Sequence, residues 1–164
     1  MGKTTLIGQL KESFPILETN KSIGNSPGLA RWLTKEILTN KKNKMRIYDR
    51  FFFSELVYGP LLRGRTCFTP EEDELILGML KSIKPLVIIC DRPIEDIVKT
   101  IDDSEQMIGV DSGSIAAIQR RYHEVVVKLL RENEIPLLIY NFNLENAYEI
   151  IKSRVASKLW SVIK

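Results

Sequence analysis

Near its start the chain reads Gly2-Lys3-Thr4-Thr5, a glycine, a primary amine and two hydroxyls in succession. These residue types suit phosphate chemistry. The glycine lets backbone amides approach an anion, the lysine reaches phosphate oxygens, and a hydroxyl ligates Mg²⁺. Together they are the closing half of the phosphate-binding loop G-x-x-x-x-G-K-[ST]. Apolar residues at helical spacing follow through about Phe14, and a helix opening here adds its N-terminal dipole to anion binding. Gly2, Lys3, Thr4 and Thr5 are therefore candidate contacts for ATP phosphates, with Thr4 a candidate metal ligand. The loop's first glycine, its four following residues and a preceding strand do not stand before Gly2. An upstream segment of about ten to fifteen residues is therefore expected; the other reading is a relative that has lost catalysis.

Two further constellations pair an acid with an arginine. The apolar run Met45 to Tyr48 leads into Asp49-Arg50, and Leu86 to Cys90 leads into Asp91-Arg92. A third run, Leu137 to Tyr140, follows Pro136. Short continuous apolar runs suit strands covered on both faces. Where such strands alternate with helices the sheet is parallel, and ligands sit at the carboxyl ends of the strands. Both Asp-Arg pairs stand at such ends. Arginine's planar fork binds phosphate bidentately, although an Asp-Arg pair can equally close an internal salt bridge.

The elements that must position these groups are legible as patterns. Leu29, Trp32, Leu33 and Ile37 fall at helical spacing. Thr69-Pro70-Glu71-Glu72 reads as an N-cap, a first-turn proline and a capping-box acid. The helix it opens carries Leu75, Ile76, Met79, Leu80 and Ile83 on one face. Ile115, Ile118, Tyr122, Val125, Leu129 and Leu130 mark another helix, and a last one runs from about Asn143 with Leu144, Ala147, Tyr148, Ile151, Val155 and Leu159 inward. The polar, glycine-containing stretch Asp102 to Gly113 lies between helices.

No repeat or linker interrupts the 164 residues, so one domain over 1–164 is expected. With 24 Lys+Arg against 21 Asp+Glu the charge is only +3. That is too mild to argue for wholesale coating of nucleic acid, leaves DNA as an acceptor open, and suits a pocket for polyanions. Cys67 and Cys90 have no metal-ligand spacing, and Cys90, ending an apolar run, reads as a reduced core thiol. No apolar run is long enough to span a membrane, and the opening residues lack a signal-peptide core. A cytoplasmic setting is the default.

The run from Ile47 to Gly59, with Asp49-Arg50 and Ser54-Glu55-Leu56-Val57-Tyr58-Gly59, resembles the Asp-Arg-x-x-x-Ser motif of thymidylate kinases. It is especially similar to phage-encoded thymidylate-kinase-like proteins. With the Gly-Lys-Thr-Thr helix, the LVIICDRP segment and the lid-like 102–113 stretch, the resemblance covers most of the chain. It implies a P-loop NTPase fold: a three-layer α/β/α sandwich with a mainly parallel sheet, its first strand wanting here. It implies a kinase that moves the γ-phosphoryl of ATP, with Mg²⁺, to a deoxynucleoside monophosphate, dTMP or an analogue. Asp49 would lie near metal and acceptor, and Arg50 would grip the acceptor phosphate. Arg92, Arg120 and Arg121 would be the candidates for charge on the transferring group. A phage origin would place the protein in the host cytoplasm.

The surrounding acceptor-side residues keep two readings each. One of Phe51, Phe52 and Phe53 faces the base while at least one packs in the core. Ser54 and Tyr58 belong to the resembled motif. Glu55 orients acceptor or metal water, or braces its helix. Arg63 reaches acceptor phosphate, or is solvated. His123, the only histidine, reads as a surface or packing residue. Trp32's spacing favours the core. Rival functions are a kinase for deoxynucleosides or for a base within DNA, and a non-catalytic binding protein. A homodimer is compatible with all of them.

Overall fold

The computed structural model describes residues 2–21, 28–39, 45–102, 112–141 and 143–163. Most of the lid-like stretch, including Gln106 to Val110, lies outside them. The order is α1 (Gly2–Ser13), β1 (Glu18–Lys21), α2 (Leu29–Thr39), β2 (Arg46–Asp49), α3 (Phe52–Arg63), α4 (Pro70–Ile83), β3 (Val87–Cys90) and α5 (Ile94–Asp102). Then come α6 (Ser112–Arg121), a π-helical stretch (Tyr122–Val127), α7 (Lys128–Glu132), β4 (Leu137–Tyr140) and α8 (Ala147–Ile163).

The architecture is mixed α/β with parallel pairing throughout. Of the mainly parallel sheet expected from the sequence, the described residues show two parallel pairs. β1 pairs with β2 and β3 pairs with β4, in two separate two-stranded sheets among the described residues. Helices nevertheless cover both faces of the β3/β4 pair. Ile88, Leu138 and Tyr140 pack with Leu6 and Leu10 of α1 and Ile151 and Val155 of α8. Val87, Ile89 and Leu137 pack toward Phe52, Val126 and Leu130. Ile47 of β2 joins the first cluster. Two-stranded sheets leave flanks open, so these apolar strands are half-buried and Ile139 is 47% exposed.

Several helices follow their local signals. Thr69 caps α4 by accepting from the Glu72 N–H at 3.2 Å, while the Glu72 carboxylate accepts from the Thr69 N–H at 2.9 Å. Only Ile76 and Leu80 of the predicted face are buried, and Leu75 and Ile83 are exposed. α8 starts at Ala147, later than the pattern implied, because Asn143 to Asn146 form turns. Leu144 is accordingly 63% exposed. Phe52 and Phe53 are core, and Trp32 packs against that core from the half-buried shell.

Candidate phosphate site at the strand ends

α1 begins at Gly2, so Lys3, Thr4 and Thr5 occupy its first turn. The Lys3 ammonium is ion-paired with the carboxylate of Asp49, the last residue of β2. Apart from that ion pair, buried Asp49 Oδ1 has no hydrogen-bond partner. Thr4 is exposed beside it in sequence. The two residue groups singled out from the sequence thus meet at the carboxyl end of a parallel strand.

β3 ends close by. The thiol of Cys90 senses both Lys3 and Asp49. The expectation of a buried core thiol is corrected here: as the last residue of its strand, Cys90 keeps an exposed flank. Even so, the protein around it desolvates the thiol. That desolvation pushes it up to about 11, with the Lys3 charge opposing the shift and Asp49 adding to it.

Arg50 follows Asp49 with φ of 63°, the left-handed region that residues other than glycine seldom enter. This bend turns the chain off β2 and sends the Arg50 guanidinium over the Tyr58 ring, 5.5 Å from its centroid. Tyr58 meets Tyr122 edge-on at 6.3 Å, and the Tyr122 hydroxyl lies 3.2 Å from Ser54 Oγ. Burial pushes the Tyr122 phenol up to about 12, opposed by the Ser54 hydrogen bond, so it stays a neutral hydroxyl. Phe51 stands at the N-cap of α3 without a side-chain cap and leans on Tyr48 at 4.9 Å. An uncapped helix start directly after Arg50 leaves amide donors on the arginine's side of the strand end.

Glu55 and Arg63 resolve differently. Glu55 is buried at 7%, ion-paired with Arg63, and accepts from the Cys67 N–H at 2.8 Å. Of its two readings the structure displays the brace: α3 is tied to the loop after it. Arg63 is held in the same tie.

At the second strand end, Asp91 Oδ1 accepts from the Arg92 N–H at 3.0 Å and from Gln119 Nε2 at 2.5 Å. Gln119 also donates to the Arg92 carbonyl at 2.9 Å. Asp91 Oδ2 lies 3.1 Å from His123 Nε2. Arg121 donates through Nε to the Leu56 carbonyl at 3.4 Å, a tie to α3, and Arg120 is exposed. Gln119 and His123 were missed as site residues. Their spacing of four along one helical run, which puts both side chains on one face, was the available signal.

No trio of His, Cys, Asp or Glu could hold a metal among the described residues. Mg²⁺ needs less, because it takes one or two protein oxygens and completes its shell with phosphates and water. Asp49 Oδ1, which meets only the Lys3 ammonium, and the exposed Thr4 fit that donor set. Also among the described residues, no helix is long and apolar enough to cross a membrane. Neither family models nor curated proteins give a match to this chain.

Proposed function

We propose that the chain is a P-loop nucleotide kinase that transfers the γ-phosphoryl of ATP to a deoxynucleoside monophosphate, dTMP or a close analogue. The observation that carries this reading is the meeting of Lys3 with Asp49. It brings the first turn of the Gly-Lys-Thr-Thr helix to the strand end that bears Arg50.

Phosphoryl transfer asks for positioning and charge neutralisation more than covalent chemistry by the protein. Lys3 is half-exposed and can leave Asp49 for the β/γ oxygens of the donor, guided by the dipole of α1. Thr4 and Asp49 would hold Mg²⁺, which when bound neutralises charge on the phosphates. Arg50, backed by Tyr58, grips the acceptor phosphate and aligns its oxygen with the γ-phosphorus. Arg92 stands at the neighbouring strand end, where charge develops on the transferring group.

The test is an acceptor panel with labelled ATP and Mg²⁺: four deoxynucleoside monophosphates, their nucleosides and an oligonucleotide. Label in dTMP or an analogue is the expected result. Preferential labelling of nucleosides or of the oligonucleotide overturns the monophosphate acceptor, and no transfer at all favours a non-catalytic binding protein.

A further inference from the structure

Two adjacent residues in one helical turn tie down the segments that follow two strands. Tyr122 reaches Ser54 in the first turn of α3, the helix that follows β2, and His123 reaches Asp91, the residue after β3. In an α-helix successive side chains diverge by about 100°. At Tyr122 the helix widens into a π turn that runs to Val127. Such turns are rare, and those that occur are frequently at functional sites.

Each contact supports a candidate arginine. Tyr122 backs Tyr58, whose ring face carries Arg50. His123 and Gln119 occupy both oxygens of Asp91, and Arg92 is fixed at its N–H by Asp91 and at its carbonyl by Gln119. Nothing in the proposed chemistry otherwise requires a histidine on that carboxylate.

We infer that Tyr122 and His123 form a clasp that sets the separation of the two strand ends, so that Arg50 and Arg92 converge on one phosphoryl group. Both are positioning residues. The functional half of this inference rests on the kinase reading, whereas the clasp itself does not.

Two measurements separate the two. Amide exchange at Arg92 in the free protein reports the Asp91 carboxylate that its N–H bonds. His123→Ala should accelerate that exchange by about tenfold, and Tyr122→Phe, which touches neither Asp91 nor Arg92, should accelerate it too. Arg92 exchange unchanged in Tyr122→Phe overturns the clasp, whatever the enzyme does. In the kinase assay His123→Ala should lower kcat about tenfold or more with KM for ATP held. His123→Gln, which restores an Nε2 donor, should recover most of it. Equal losses in the two variants overturn positioning through Asp91. His123 is largely exposed and Tyr122→Phe removes one oxygen, so both variants are expected to fold. A wild type without transfer activity but with coupled exchange retires the kinase reading and keeps the clasp.

Discussion

The ion pair between Lys3 and Asp49 is unequal: the lysine side chain is 40% exposed and the aspartate 15%. The carboxylate is the fixed member, and the ammonium can be drawn away by a competing anion with little loss of burial. Such an arrangement keeps the carboxylate in place without committing the lysine to it.

Removing either partner should therefore separate activity from stability. Lys3→Ala and Asp49→Asn should each lower turnover by about 100-fold or more, the scale seen when one charge-stabilising group is removed. Asp49→Asn should melt close to the parent, because the ion pair it gives up joins the carboxylate to a lysine that is 40% exposed and stays solvated. Steady-state kinetics with thermal melts check both. Near-parental kcat in a folded variant removes that residue from the chemistry.

Glu55 should behave oppositely. Its truncation to alanine takes the acceptor from the Cys67 N–H and the partner from Arg63, which stays solvated, at a cost of about 1–3 kcal/mol. Gly59→Ala probes the same brace from the other side. An added Cβ would stand 2.6 Å from Glu55 Oε1 and 2.9 Å from the Arg65 carbonyl, which costs about 1–3 kcal/mol. Urea unfolding reads both; a Glu55→Ala loss under about 1 kcal/mol would return Glu55 to the acceptor side.

The thiols give a pH prediction. Desolvation leads the causes that raise Cys67 and Cys90 from 9.0 to about 11. A raised folded pKa means that the native state holds its proton longer than the unfolded chain does. The stabilisation is complete below pH 9 and is lost as pH climbs from 9 to 11. At pH 8 each thiol should alkylate on the order of 100-fold more slowly than a free cysteine despite its exposed flank. Iodoacetamide kinetics on the single-cysteine variants measure this, and a free-thiol rate at Cys90 contradicts the desolvated environment.

Legibility from sequence tracked locality. The α4 cap was readable because Thr69 and Glu72 satisfy each other within one turn. The site's two halves were readable because Gly-Lys-Thr-Thr and Asp49-Arg50 each carry their chemistry in adjacent residues. β1 was not, since Glu18-Thr19-Asn20-Lys21 is polar. It is a strand through pairing with β2 and through contacts such as Asn20 to Glu36. Periodicity placed Leu75 and Ile83 beside Ile76 and Leu80 but could not tell how wide a stripe neighbours would cover. His123 and Asp91 lie 32 residues apart along the chain, and only tertiary packing brings them together.

Arg50 offers the sharpest discrimination between acceptor classes, because its backbone and side chain can be tested separately. Arg50→Gly relieves a left-handed φ worth about 1 kcal/mol, and it gives up an exposed cation–π contact worth about 0.5–1 kcal/mol. The melting temperature should therefore hardly move in Arg50→Gly, whereas Arg50→Met keeps the strain and loses the contact. Both variants lack the guanidinium. If the acceptor carries a phosphate, losing a charge-assisted contact to it costs on the order of 2–5 kcal/mol. That is roughly a 30- to 5,000-fold drop in kcat/KM for the monophosphate. A nucleoside has no phosphate to grip, so its phosphorylation should be nearly indifferent to either change. We expect both variants to lose the monophosphate reaction to the same degree, with KM for the acceptor rising and KM for ATP held. Matching losses with nucleoside acceptors, or a rise confined to KM for ATP, would move Arg50 from the acceptor to the donor.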